Sequence, residues 1–156
     1  MTHVTNIAFN SYKDLWQSVF KDYYQDKYQH ETGLSGGGGN YPFYDIHLKQ
    51  EVVLLPEHRF CLASSVERFT VPVNYYLLTK NKSSIARLGI DASFNTIIDN
   101  GFNGWLTIEI VNHSNATVYL KAGQPILKVV AVKCDLPCLS YEGKYQNQSD
   151  KPVSAK

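Results

Sequence analysis

Trp105-Leu-Thr-Ile-Glu-Ile-Val111 decides the fold class. Its residues are β-branched, aromatic or aliphatic, the types that favour strands. Side chains alternate across a strand, so Leu106, Ile108 and Ile110 share one face and Trp105, Thr107, Glu109 and Val111 the other. The all-apolar face belongs in a core. Glu109 then points the other way, among Trp105, Ile108 and Val111, as the wall of a pocket or as an ordinary carboxylate on a half-exposed strand.

Outward from this stretch the same texture repeats. Val52 to Leu55, Phe60 to Ser65, Tyr75 to Thr79, Val118 to Leu120 and Ile126 to Val132 read as further strands. Pro56, Pro72, Asn100-Gly101 and Ala122-Gly123 separate them. Many short strands at close spacing predict an all-β sandwich or barrel. Before them, Tyr12, Leu15, Trp16, Val19, Phe20 and Tyr23 recur at helical spacing, which predicts an amphipathic helix over residues 11–28 packed on its own domain. Ser11, with Asp14 three residues on, supplies its N-terminal cap. Ser35 to Asn40 is a Gly run without a following Gly-Lys-Ser/Thr, so it reads as a mobile loop and not a phosphate loop. The expected organisation is one domain over 1–156: helix 11–28, Gly-rich loop 35–40, β body 44–139 and C-terminal segment 140–156. The end of the chain is polar and expected to be loose.

Composition narrows the partners. Lys+Arg is 15 and Asp+Glu is 14 in 156 residues, so the near-zero net charge gives no reason to expect a nucleic-acid polymer or an anionic membrane. A small anion needs only a local cluster of positive groups. Cys61, Cys134 and Cys138 make an odd, irregular set, which fits a reducing compartment and predicts a soluble cytoplasmic protein. No apolar run approaches a membrane span.

Three segments, in order, resemble the dCTP deaminase branch of the dCTP deaminase/dUTPase family. Lys82-Ser-Ser-Ile-Ala-Arg-Leu-Gly89 is similar to the family's Arg-Ser-Ser-Leu-Ala-Arg-Leu-Gly. Ile98-Asp-Asn-Gly-Phe-Asn-Gly104, followed by Leu106-Thr-Ile-Glu-Ile-Val-Asn112, is similar to Ile-Asp-Pro-Gly-Phe-x-Gly-x-Ile-Thr-Leu-Glu-Leu-Val-Asn. Tyr141-Glu-Gly-Lys-Tyr-Gln-Asn-Gln148 resembles the closing Tyr…Gly-Ser-Lys-Tyr-Gln-x-Gln. Tyr44-Asp-Ile-His-Leu48 and Ala122-Gly-Gln-Pro-Ile126 are weaker echoes. The resemblance spans roughly residues 44 to 148. It implies a distorted jelly-roll-like barrel, a homotrimer with sites shared between neighbouring chains, and a C-terminal segment that closes over a bound nucleotide.

It also implies a chemistry: deamination of dCTP to dUTP, alone or continued to dUMP and pyrophosphate, with dUTP hydrolysis alone as the alternative and a non-catalytic nucleotide-binding regulator as a third. Zinc deaminases carry His-x-Glu and Pro-Cys-x-x-Cys. This chain has no His-x-Glu, and Cys134-Asp-Leu-Pro-Cys138 has a different spacing. Without zinc, a carboxylate must take a proton from water and return it to the leaving group. The resemblance assigns that role to Glu109, and assigns Arg87 and Asp99 to the catalytic set. It implies substrate contacts from Lys82, Ser83, Ser84, Ile85, Ala86, Arg87, Asp99, Thr107, Ile108, Tyr141, Lys144 and Gln148, with Mg2+ arriving on the triphosphate of dCTP or dUTP. In dUTPases the aspartate matching Asp99 activates the water that attacks the α-phosphate. Three positions depart from the family pattern: Lys82 replaces an arginine, Asn95 a small residue and Lys128 a glutamine.

Overall fold

The computed structural model describes residues 8–21, 42–94 and 97–155. The later part of the expected helix, the Gly run 35–40, Asn95 and Thr96 lie outside the described residues.

Helix α1 (Tyr12–Val19) starts at Ser11, whose hydroxyl accepts the Asp14 N–H at 3.1 Å. It ends at Phe20, earlier than the sequence pattern suggests. Its apolar stripe packs on its own domain. Leu15, Trp16, Val19 and Phe20 are buried, and Phe20 lies 4.3 Å from the Tyr44 ring and 5.0 Å edge-on from Phe69. Burying an aromatic of this kind stabilises by roughly 1.5–3 kcal/mol, enough to hold a two-turn helix that would not persist alone in water.

The rest is mostly β. Strands β1 (Phe43–His47), β2 (Val52–Leu54), β3 (Phe60–Thr70), β4 (Tyr75–Asn81), β5 (Ile90–Asp91), β6 (Ile97–Ile98), β7 (Asn103–Asn112), β8 (Val118–Leu120) and β9 (Pro125–Lys133) follow α1, with one helical turn, α2 (Ser83–Ala86), between β4 and β5. They form three antiparallel sheets, β1-β9-β4-β6, β2-β8 and β3-β7-β5. Among the described residues no single closed barrel forms; the sheets face one another across a shared core. Leu106, Ile108 and Ile110 of β7 are buried there with Ile46, Leu77, Ile126 and Val129.

The β3–β7 ladder positions the site. Leu62 pairs with Glu109 and Ser64 with Thr107, but the next matched pair is Arg68 with Trp105. β3 therefore carries two extra residues in a bulge at Ser65–Glu67. The Ser65 hydroxyl satisfies it by donating to Glu67 O and accepting Leu106 N–H. Bulges re-aim side chains, and this one sends Glu67 into the core. There its carboxylate accepts from the Tyr44 hydroxyl at 3.3 Å and the His47 backbone N–H at 3.0 Å, and lies 2.5 Å from His47 Nδ1. Two turns read from sequence are present. Phe102 N–H donates to Asp99 O across Asn100-Gly101, and Gln124 N–H to Lys121 O across Ala122-Gly123.

Candidate active site

A cavity of about 350 Å3 opens on the face of β7 opposite the core. Its floor is Thr107 and Glu109 with the cross-strand neighbour Leu62 and with Phe60 at the rim. One side is Ile97, Ile98, Asp99 and Phe102, which enter from β6 and the 99–102 turn. The other side is Tyr141, Tyr145, Gln148 and Val153 from the C-terminal segment. Glu109 is thus a half-buried carboxylate in a largely apolar pocket wall. Asp99 is exposed at the mouth of the same cavity. Among the described residues no Lys or Arg lines it.

The C-terminal segment differs from the loose tail expected from its polarity. Tyr141 N–H donates to Asn100 O, Asn147 N–H to Asn103 O and Trp105 N–H to Gln148 O. Gln148 pairs with Gly104 as a parallel bridge, and its Nε2 donates to Trp105 O at 2.8 Å. Beyond it, Asp150 is held by Lys49 Nζ at 2.5 Å and by the Ser64 hydroxyl, and Val153 N–H donates to Thr107 Oγ1 at 3.1 Å. The ion pair holds the Asp150 carboxyl below the usual carboxylate range. The local sequence makes room for this path. Gly104 has φ +132°, and a Cβ there would sit 2.7 Å from the Gln148 backbone. A Cβ on Gly143 would run into the Tyr141 phenol, whose oxygen accepts Tyr145 N–H.

The residues singled out from sequence fall into separate groups. Asp99, Thr107, Glu109, Tyr141 and Gln148 share the cavity. Lys82, Ser83, Ser84, Ile85, Ala86 and Arg87 do not line it. They form α2 and its flanks, anchored by Lys82 N–H to Ile126 O. Ser83, Ser84, Ala86 and Arg87 are exposed there, while the Ile85 side chain is buried in the core. The Lys82 ammonium is 2.5 Å from Asp45 Oδ2, so much of its charge is already neutralised by a buried carboxylate. Ile108 is buried in the core, as the alternation of β7 requires, and does not line the cavity. Lys144 is exposed, with Nζ 5.4 Å from the ring of Tyr145, a cavity-wall residue. Lys128 lies over Phe43 on the far sheet.

Cys134 and Cys138 lie at the end of β9. Burial first, then the Cys138 thiol and the Asp135 charge, push the Cys134 thiol up to about 11. Among the described residues no group of three or more His, Cys, Asp or Glu is placed to hold a metal ion. No described helix is long and apolar enough to cross a membrane.

Residues 26–134 match the dCTP deaminase-like family model. The chain belongs to that family. Two curated relatives are dCTP deaminases. That of Pyrobaculum islandicum is 36% identical over 101 residues, covering 65% of this chain and 56% of the relative. That of Campylobacter curvus is 35% identical over 107 residues, covering 66% and 57%. The match thus spans a little over half the length of these relatives. Among solved structures, EIAV dUTPase aligns with TM-score 0.53 at 17% identity, over 67% of this chain and 86% of its own. The dUTPase of S. aureus phage phi11 aligns with TM-score 0.53 at 21% identity, over 64% and 81%. The 2'-deoxycytidine 5'-triphosphate deaminase of Agrobacterium tumefaciens aligns with TM-score 0.51 at 19% identity, over 56% and 27%. The fold is therefore dUTPase-like.

Several wall residues had not been singled out. Leu62 depends on strand register, which the bulge disguises. Phe102 and Tyr145 sit inside the matching motifs, and their place in those segments was the available signal. Glu67 shares a face with Ser65 and Phe69 by simple alternation, so its burial could have been read from the Phe69 side.

Proposed function

We propose that this protein deaminates dCTP to dUTP with a carboxylate, not zinc, handling the proton. The observation that carries the reading is Glu109: it faces an apolar-walled cavity that Asp99, Thr107, Tyr141 and Gln148 also line. About 350 Å3 lies within the range of small-molecule sites. In the reaction Glu109 takes a proton from water as the oxygen adds to C4 of cytosine, and passes it to N3, which receives the displaced electron pair. It then takes the hydroxyl proton of the tetrahedral intermediate and gives it to the amino nitrogen, which leaves as ammonia while C4=O forms. A positioned general base contributes about 10²- to 10⁴-fold in rate. Leu62 and Val153, both half-buried, limit the access of bulk water to it.

Asp99 on the same cavity supports a second activity, attack of water on the α-phosphate of the dUTP formed, giving dUMP and pyrophosphate. Mg2+ carried on the triphosphate would neutralise part of its charge; a structural Mg(II) ion is described for a dUTPase of phage phi11. The phosphates need positive charge and hydrogen-bond donors that the described cavity wall lacks. Arg87, with its five fixed donors, and the hydroxyls of Ser83 and Ser84 supply them from a neighbouring copy in a homotrimer, with Lys82, already paired with Asp45, serving as a further donor and Lys144 closing from the tail. A cytoplasmic location suits this substrate class and the three free cysteines. Incubation with dCTP and with dUTP, with Mg2+ present, while ammonia and pyrophosphate are read separately, tests the proposal. Ammonia from dCTP is expected; pyrophosphate from dUTP without ammonia from dCTP would leave only the dUTPase reading.

A further inference from the structure

We infer that Gln146 is a positioning residue of the site, although it does not line the cavity. Its amide ties two walls of the cavity together. Oε1 accepts Asn103 N–H at 2.7 Å, and Nε2 donates to Gly101 O at 3.0 Å and to Tyr141 O at 2.8 Å. The partners fix the amide orientation, because a flip would set a donor against Asn103 N–H and an acceptor against two carbonyls. Gly101 and Asn103 flank the end of the 99–102 turn that presents Asp99; Tyr141 begins the tail wall that ends at Gln148. One side chain thus sets the gap between Asp99 and the Tyr141–Tyr145 wall, while Glu109 sits well along β7 from Asn103, the end of the strand that Gln146 holds.

That separation gives the role a distinctive kinetic outcome. The inference rests on the cavity being the nucleotide site. Losing Gln146 widens the substrate side of the cavity but leaves the proton-transferring carboxylate in place, so binding suffers more than turnover. Gln146→Glu replaces the donor facing two carbonyls by a carboxylate oxygen. Gln146→Met keeps the length and removes all three bonds. For both, KM for dCTP should rise roughly tenfold or more, the equivalent of one to two neutral hydrogen bonds, with kcat changed by a smaller factor. A purely structural role would lower the folded fraction, which scales kcat and leaves KM unmoved. Amide exchange at Trp105, whose N–H donates to Gln148 O, should accelerate in both variants and needs no activity. KM within twofold of wild type in Gln146→Met, with Trp105 exchange unchanged, overturns the inference. A wild type inert toward dCTP and dUTP overturns the functional reading instead, and Trp105 exchange then decides the positioning role alone: acceleration supports it and unchanged exchange overturns it.

Discussion

Gly104→Ala should detach the C-terminal segment without unfolding the sheets. Two effects act at this position. The φ of +132° lies where L residues are strained, at a cost of about 1–3 kcal/mol. The new Cβ would also meet the backbone N and O of Gln148 at 2.7 Å and Asn147 C at 3.2 Å, and backbone cannot swing aside as a side-chain tip can. Moving the segment away relieves the clash. It sacrifices three contacts near the clash, Trp105 N–H to Gln148 O, Gln148 Nε2 to Trp105 O and Asn147 N–H to Asn103 O, at about 1 kcal/mol each. Against that loss, each released residue regains about 1–2 kcal/mol of backbone entropy. Release is therefore cheaper than opening the β3–β7 ladder, and the tail yields first. A destabilisation of about 1–3 kcal/mol lowers Tm by roughly 2–4 °C per kcal/mol in a chain of this size. Amide exchange at Trp105 and chymotrypsin cleavage after Tyr141 or Tyr145 should both accelerate strongly. Gly123→Ala is the control: φ is +82°, but nothing lies within 4 Å of its Cβ, so it carries the strain without touching the tail. If Trp105 stayed protected in Gly104→Ala, or if Gly123→Ala released the tail equally, the clash argument would be refuted.

Glu109→Gln should reduce dCTP deamination by about 10²- to 10⁴-fold while a nucleotide still binds; most of the turnover surviving would end the general-base assignment. Truncation before Tyr141 should depress kcat/KM sharply and also lower Tm, because it removes the contacts to Asn100, Asn103 and Trp105; unchanged kinetics would return the segment to a passive role. Glu67→Ala should cost about 1–3 kcal/mol for each buried donor left without its acceptor in denaturant unfolding, since the His47 backbone N–H, His47 Nδ1 and the Tyr44 hydroxyl lose their shared acceptor; a loss under about 1 kcal/mol would contradict this reading of the buried carboxylate. Cys134, with its thiol pushed up to about 11, should resist iodoacetamide at pH 8, where only about one part in a thousand is thiolate, and react faster as pH rises toward 11; rapid labelling of Cys134 itself at pH 7, read by mass spectrometry, would be the opposite result.

How far the sequence carried the reading depended on the range of the signal. The strand at β7 and its two faces were legible because period-two alternation is local, and the α1 stripe was legible for the same reason. Register was not. The Ser65–Glu67 bulge shifts β3 by two residues, so nothing in the chain order sets Leu62 opposite Glu109. α2 was missed because Ser-Ser-Ile-Ala makes a single helical turn, too short for periodicity to show. The tail was misjudged for a different reason. Polarity says that a segment contributes little to a core, but this one docks by backbone hydrogen bonds on an open stretch of β7. The information for that lies in Gly104 and Gly143, which read as loop residues until their spatial neighbours are known.

The charge distribution carries the argument from one chain to the assembly. Among the described residues the cavity wall holds two carboxylates, Asp99 and Glu109, and no lysine or arginine. A nucleoside triphosphate brings several negative charges, and two unit charges 4 Å apart repel by about 1 kcal/mol even at the dielectric of water, and by more beside a low-dielectric wall. On the proposed reading, the cavity of a single chain therefore suits the base and sugar and opposes the phosphates. Arg87, Ser83 and Ser84 have the reverse character: exposed donors on α2 and its end that do not line this cavity. On the proposed reading, the α2 of one copy meets the cavity of the next and the two half-sites become one whole site. On this reading activity follows assembly. Dilution that dissociates the oligomer in light scattering should extinguish turnover at the same concentration, and Arg87→Ala should be rescued when mixed and reassembled with Glu109→Gln, since some sites then receive an intact half from each partner. A fully active monomer, or no recovery on mixing, would confine the site to a single chain.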